Sequence, residues 1–442
     1  MERTLMRDLV KWKENPNKKP LIVQGMRQCG KTYLIEDFAK RYYDDVVYYR
    51  FDKDAKAKSL FEQDLDPKRI IKDIGLARGK SVNPLKTLIF FDEIQECGNA
   101  VTSLKYFYED APEYHIVSAG SLLGVAMKKG TSFPVGKVEF LTLFPMSFYE
   151  FLYAQNKMLA DELSECSLDD NVWMRFRVEL VEKYRDFLAV GGMPEAVQSW
   201  IDNKSIEEVE KKQDEILLGY QKDFVKYADT RDYPKISAVW QSIPSQLGKE
   251  SRKFIFSHVK KGWRAKDLED ALLWLVNAGL VYKVECIAKP NYPISSYADH
   301  TYFKLYMSDV GLLRRHADLP SAIVFDSTVE YKEFKGAMAE NYVACELKSI
   351  YGKTKDKSLY YWTAEGSGRA EVDFIVQDDG SRIVPIELKS GSSKRARSLT
   401  QYCMKFNPDK SVLTSLDDIS MKNIPLYAFW RFRDWINHDF AT

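Results

Sequence analysis

The sequence predicts an α/β protein whose amino-terminal part is built on a mostly parallel sheet, and three observations carry that expectation. Strand-length apolar runs alternate with helical patterns over the first 145 or so residues. The run TLIFFDE (87–93) is continuously apolar from Leu88 to Phe91, as a strand covered on both faces must be. An earlier run, in LIVQGMRQCGKTY (21–33), passes into a glycine-bounded loop that joins a strand to a helix.

That loop fits G-x-x-x-x-G-K-[ST], with Gly25 first and Gly30-Lys31-Thr32 last. Gly25 and Gly30 permit positive φ and let backbone N–H groups of Met26, Arg27, Gln28, Cys29 and their neighbours turn inward as an anion nest. The helix expected from Thr32 to Tyr42, with Tyr33 in its first turn, aims its positive end at the same point. Lys31 would reach β- and γ-phosphates and the Thr32 hydroxyl would hold Mg²⁺, so ATP with Mg²⁺ is the expected ligand.

The remaining amino-terminal elements follow in order. VVYYRFD (46–52) and TLIFFDE (87–93) are the second and third strands, a helix is expected from Ala100 to Asp110, and YHIVSAG (114–120) and VEFLTL (138–143) are the fourth and fifth strands. Asp92 and Glu93 stand at a strand's carboxyl end, where open α/β sheets bind ligands. An acid pair there also suits a helix start, but beside the glycine loop Asp92 would hold the Mg²⁺ water shell and Glu93 would polarise the attacking water. Ser118 and Ser121, at the end of the fourth strand, stand where a hydroxyl can touch the γ-phosphate or its water.

Composition bounds the rest. A chain of 442 residues, 45% hydrophobic and 29% charged, is globular throughout and long enough for two to four domains. Its formal net charge of +1 gives no global argument for nucleic acid, so any basic surface must be local. Six cysteines without a C-x-x-C pair read as reduced thiols. No apolar run approaches ~18 residues and the first twenty residues lack the apolar core of a signal peptide. A cytoplasmic protein with no membrane partner is expected.

GMRQCGKTYL, LIFFDEIQE, SAGSLLGVA, SFPVGKVEFLTLFPMSFYEFL and GGMPEAV, in this order, resemble the bacterial and archaeal AAA-type ATPases that carry a DUF4143 domain. The resemblance covers nearly the whole chain. It implies that Lys31 and Thr32 contact phosphate and Mg²⁺, and that Asp92 and Glu93 are the Walker B pair. Ala119 stands where relatives carry a sensor Thr, which shifts the polar role to Ser118 or Ser121. Lys137 stands where many relatives carry an arginine that acts in trans on a neighbour's nucleotide, so it supplies charge without the bidentate fork.

Four parts are expected: a P-loop NTPase core (1–145), a helical lid (146–232), a winged-helix-like domain with connector (233–330) and a nuclease-like α/β domain (331–442). FYEFLYAQNKMLADEL, DNVWMRFRVELVEKYRDFLAV and SIEEVEKKQDEILLGYQKDFVKYAD carry apolar residues at helical spacing, and GGMPEAV (191–197) interrupts them in a structural role. From Tyr233 to Ile287 the order is that of a winged helix, with Arg264 to Asn277 as third helix and Leu280 to Ile287 entering the wing. That third helix bears Lys266, Asp267, Glu269 and Asp270, a mixed rather than basic face.

In the last part a helix from Lys335 to Ile350 bears Glu340. LYYWTAE, EVDFIVQ and RIVPIELKSG are strands, the latter two joined by an Asp-Gly hairpin turn. The order Glu340, Asp373, Glu387-x-Lys389 resembles the PD-(D/E)xK nuclease core, with Gln401 as a helper. Glu340, Asp373 and Glu387 would hold Mg²⁺ or Mn²⁺ while Lys389 positions water. Glu371 shares a face with Asp373, so either could be the stronger ligand. SSKRAR (392–397) could meet a phosphate backbone. The expected function is ATP hydrolysis coupled to a nuclease-like, DNA-interacting domain. The alternative is a nucleotide-dependent switch that binds DNA or a protein partner, or a second copy of itself, without cutting. Transfer of phosphate to a small acceptor ranks last.

Overall fold

Five parallel strands make the amino-terminal sheet: β1 (Leu21–Gln24), β2 (Asp45–Arg50), β3 (Thr87–Asp92), β4 (His115–Gly120) and β5 (Glu139–Thr142), in spatial order β2-β3-β4-β1-β5. A computed structural model describes residues 1–121, 133–249, 251–325, 332–355, 357–364, 370–380, 382–389 and 396–438. The chain divides into two units. One holds Met1–Pro145 with Asn277–Gly279 and Gly352–Lys355; the other holds Met146–Val276, Leu280–Tyr351 and Asp356–Thr442.

β3 and β4 are buried along their whole length, as their unbroken apolar runs require. A cluster of rings beneath β3 fixes the strand that carries Asp92. Phe51 and Phe61 meet edge to face at 5.7 Å, and Phe61 meets Phe91 at 5.6 Å. Each such ring contributes about 1.5–3 kcal/mol by leaving water. Helices Lys31–Tyr42, Pro67–Arg78 and Gly98–Asp110 supply crossovers between the parallel strands. Because β4 lies between β1 and β3, the chain reverses its direction of winding there, and the carboxyl ends of these strands form the crevice.

The second unit contains a seven-stranded mixed sheet, β12-β11-β10-β9-β8-β6-β7. Its strands are β6 (Val281–Ile287), β7 (Ala298–Met307), β8 (Leu359–Thr363), β9 (Glu371–Gln377), β10 (Ile383–Leu388), β11 (Val412–Ser415) and β12 (Asn423–Pro425). β9 and β10 form the expected hairpin, with Ile383 opposite Gln377 and Ile386 opposite Phe374. Helix Arg397–Phe406 then carries the chain over to β11, which runs parallel to β10.

The structure differs from the sequence expectation at several places, each with a physical cause. Residues 148–163 form two helices, Phe148–Gln155 and Lys157–Glu165, because the Asn156 side chain accepts the Leu159 N–H and starts a new helix. Where the expected winged helix would place its second helix, the chain makes a single turn, Phe256–His258. The segment before it, Phe254-Ile255-Phe256, is β-branched and aromatic and docks on β7, where Phe254 N–H donates to Phe303 O at 2.9 Å. The strand expected to enter a wing, β6, lies inside the large sheet, antiparallel to β7 and parallel to β8. The sheet therefore runs across the expected boundary at 330, joining strands from both sides of it.

The glycine pair of GGMPEAV meets a buried carboxylate. Asp309 Oδ2 accepts the Gly192 N–H at 2.6 Å while Oδ1 accepts the Leu312 N–H at 2.8 Å. A Cβ on Gly191, whose φ is +76°, would stand 2.3 Å from Asp309 Oδ1, and one on Gly192 would stand 2.1 Å from Met146 O. Both positions exclude a side chain for steric reasons.

Candidate functional site

The loop after β1 turns because two of its residues take backbone angles that side chains resist. Gly25 has φ +149°, and a Cβ there would lie 2.2 Å from Leu143 O; Gly30 has φ +94° and opens the helix Lys31–Tyr42. Gln28 also has positive φ, +66°. Of the residues expected to contact nucleotide, Met26, Cys29 and Lys31 are buried, while Arg27 and Gln28 are exposed and Tyr33 is exposed at the start of the helix. The Lys31 ammonium donates to the loop's own carbonyls, Gly25 O at 3.0 Å and Met26 O at 2.8 Å.

The other wall is the carboxyl end of β3. Thr32 Oγ1 donates to Asp92 Oδ2 at 2.9 Å, which brings together the hydroxyl and carboxylate expected at a metal. These are hard oxygen donors at a helix N-terminus, a set that suits Mg²⁺. Burial raises the Asp92 carboxyl above its usual range and the Glu93 charge adds to this, while the Thr32 and Tyr48 hydroxyls oppose it. Glu93 has φ +50° and its Oε2 accepts from Ser121 Oγ at 3.3 Å and from Gln95 Nε2. Ser118 Oγ, one pleat repeat before Gly120 on β4, is buried and has no hydrogen-bond partner among the described residues. It is an orphan hydroxyl at the strand-end crevice, as a phosphate-facing group would be.

Three contributors escaped sequence reasoning. Tyr48 on β2 donates its hydroxyl to Asp92 Oδ2 at 3.1 Å. Gln95 holds Glu93; its signal is the spacing in Asp-Glu-Ile-Gln. The buried Arg3 guanidinium donates to Cys29 O at 2.8 Å and to Phe144 O at 2.6 Å, which turns the Cys29 carbonyl away from the nest. Nothing in the sequence near Arg3 signals this. Lys137, which stands where many relatives carry an arginine, pairs with Glu109 at 2.9 Å and lies over the Tyr108 ring at 5.3 Å.

In the second unit the expected acids have other partners. Glu340 accepts the Tyr306 hydroxyl at 2.7 Å and pairs with Arg252 and with Lys304 Nζ at 3.5 Å. Lys304, fully buried on β7, also pairs with Glu371 at 2.7 Å. Burial disfavours its charge, but the surrounding groups, Glu371 and Asp373 among them, outweigh burial and hold the ammonium protonated above its usual range. Asp373 Oδ2 accepts the Leu388 N–H at 2.8 Å. Glu387 divides its oxygens between the Leu399 N–H at 2.6 Å and the Lys389 ammonium at 2.7 Å. Among the described residues no group of three or more His, Cys, Asp or Glu is placed to hold a metal. Glu340, Asp373 and Glu387 are instead engaged by Arg252, Tyr306, Lys304, Lys389 and backbone N–H groups. Gln401 lies on helix Arg397–Phe406, and residues 390–395, which include most of SSKRAR, lie outside the described residues.

Comparison with known proteins now bears on the site. Residues 17–152 match the AAA domain, residues 181–322 match a domain of unknown function, DUF8612, and residues 335–428 match another, DUF4143. No curated protein matches the sequence. Among solved structures, a Walker-type ATPase of Pyrococcus abyssi is similar at 15% identity and a TM-score of 0.43, covering 70% of this chain and 94% of that one. AMPPCP-bound DnaA from Aquifex aeolicus is similar at 15% identity and a TM-score of 0.28, covering 62% of this chain and 87% of that one. Residues 17–152 are therefore similar to an AAA domain and residues 335–428 to a DUF4143 domain. Among the described residues no helix is long and apolar enough to cross a membrane.

Proposed function

We propose that the protein is a Mg·ATP-hydrolysing switch whose second unit has a nuclease-like fold that binds without cutting. The observation that carries the first clause is the meeting of the Gly25–Lys31 loop with Asp92 and Glu93 through the Thr32–Asp92 hydrogen bond. Loop N–H groups receive the phosphates, and Lys31 exchanges the carbonyls of Gly25 and Met26 for phosphate oxygens. Glu93, oriented by Ser121 and Gln95, accepts a hydrogen bond from the attacking water and aligns it on the γ-phosphorus. Thr32 and Asp92 would hold Mg²⁺, which would neutralise phosphate charge. Ser118 and Ser121 are the hydroxyls placed for the γ-phosphate.

Phosphate release from Mg·ATP tests this reading. Lys31→Ala is expected to lose ATP binding, and Glu93→Gln to bind ATP while turnover drops by about 10²–10⁴-fold. Wild-type turnover of zero on folded protein would sink the hydrolytic clause.

The second clause rests on Lys304. The order helix Lys332–Tyr351, β8, β9, β10, helix Arg397–Phe406, β11 supports a PD-(D/E)xK-like core. In that core the Lys304 ammonium stands among Glu340, Glu371 and Asp373, supplying the positive charge that a divalent cation brings to a nuclease. Supercoiled plasmid incubated with wild type and Mn²⁺ should stay intact. Nicking lost in Asp373→Ala and Lys389→Ala would return the domain to active cleavage.

A further inference from the structure

We propose that the loop leading into helix Ala265–Asn277 is a contact surface for the phosphodiester backbone of a nucleic acid, duplex in preference to single strand. The inference names the partner class for the reading that the second unit binds without cutting, and it rests on that reading.

Local charge is the first observation. From Lys249 to Lys266 seven Lys or Arg residues stand against one Glu, in a chain whose net charge is only +1. Pairing is the second. Among the described residues none of Lys253, Lys260, Lys261, Arg264 and Lys266 has a carboxylate within salt-bridge distance, whereas elsewhere Lys212 pairs with Glu215 and Lys283 with Glu285, at 2.9 and 2.7 Å. Arg252 belongs to Glu340 and is not part of the surface. Lys260, Lys261, Arg264 and Lys266 are exposed.

Anchorage is the third observation. Phe254 N–H bonds β7 at Phe303 O, Ile255 N–H donates to Gln246 Oε1 at 2.7 Å, and the Phe254 ring stacks on Phe303 at 5.5 Å. A loop tied down at this end spends less entropy in presenting its cations than a free tail would. The helix that follows is not itself the reader. Asp267 already caps its start through the Arg264 N–H at 2.9 Å, and Glu269 and Asp270 are exposed on its next turn. The Lys260 ammonium lies 4.6 Å from the Trp263 ring centroid, so that ring is no bare platform for an unpaired base. Cations without an accessible stacking face suit a duplex backbone.

The test is fluorescence anisotropy of the full chain with a labelled duplex of ~20 base pairs, titrated across salt, where each phosphate neutralised contributes about −0.9 to the log–log slope. Lys260→Gln/Lys261→Gln/Arg264→Gln should weaken binding at least tenfold and reduce the slope by about 2–3. Its melting temperature should change little, since the three side chains are exposed and none forms an ion pair among the described residues. Equal binding by wild type and variant, a salt-independent affinity, or no wild-type binding at low salt would overturn the proposal. So would competition by polyglutamate as strong as by unlabelled duplex, which would point to an acidic protein surface. Tighter binding of a single strand of the same length would overturn the duplex clause. The same samples run on a gel report cleavage of the probe, which would count against the non-cutting reading alone, and phosphate release reports the ATPase separately.

Discussion

Tyr48 and Lys304 show what single side chains do when a long-range contact, rather than a motif, places them. Tyr48 reaches Asp92 only because β2 and β3 pair in the register that sets Tyr48 opposite Phe90. One hydrogen bond contributes about 0.5–1.5 kcal/mol, so Tyr48→Phe should lower ATP turnover about 2–10-fold while the fold persists. Steady-state phosphate release measures this, and an unchanged rate would remove Tyr48 from the site. Lys304 lies thirty-six residues from Glu340 in sequence, and no local pattern marks it as that residue's counter-ion. Lys304→Met would strand Glu340 and Glu371 with less compensation, at a cost of about 3–5 kcal/mol seen in urea unfolding. By contrast the glycine loop that carries Gly25, Lys31 and Thr32 and the strand end at Asp92 were legible as elements, because both follow from neighbours a few residues away.

At the scale of elements, the glycine loop and the Asp309 junction carry the sharpest expectations. Gly25→Ala places a Cβ against Leu143 O at a backbone angle that alanine rarely adopts. It should cost about 1–3 kcal/mol and abolish ATP binding, as calorimetry would show. Asp309 is buried, and desolvation lifts its carboxyl to about 6 even though it accepts backbone N–H groups of Gly192, Leu312 and Gly311. The folded state therefore holds a proton that the unfolded state has released between about pH 4 and 6. This contribution favours the fold at low pH and fades as pH rises through that window. Asp309→Asn should flatten the dependence of melting temperature on pH there, and an unaltered profile would show that Asp309 does not set it. The parallel strands of the first unit, β8 to β10 and most long helices were readable from periodicity; helix Pro67–Arg78, β11 and β12 were not. The second helix of the expected winged helix was not, because Phe254-Ile255-Phe256 has its partner in β7, a strand far along the chain.

For the whole molecule, one unit holds Met1–Pro145 with Asn277–Gly279 and Gly352–Lys355, and its last parallel strand, β5, ends at Thr142. The three further parts expected after it share one compact unit, since a sheet assembled from residues 281–425 depends on pairings that no local pattern announces. Mg·ATP at ~100 times its dissociation constant should stabilise the folded chain by about 2.7 kcal/mol. Differential scanning calorimetry should show the rise in wild type and not in Lys31→Ala. His115 adds an acid limit in the first unit. Burial lowers its pKa to about 4, with Lys18 and Lys13 contributing, so stability present above about pH 6.5 is lost as pH falls toward 4. A His115→Gln chain should lose that portion of the acid sensitivity.

The ammonium of Lys31 donates to the carbonyl oxygens of Gly25 and Met26, so the loop that bears this cation also holds it in place. A Lys31→Ala chain would lose a positive charge and, with it, two ties across its own loop.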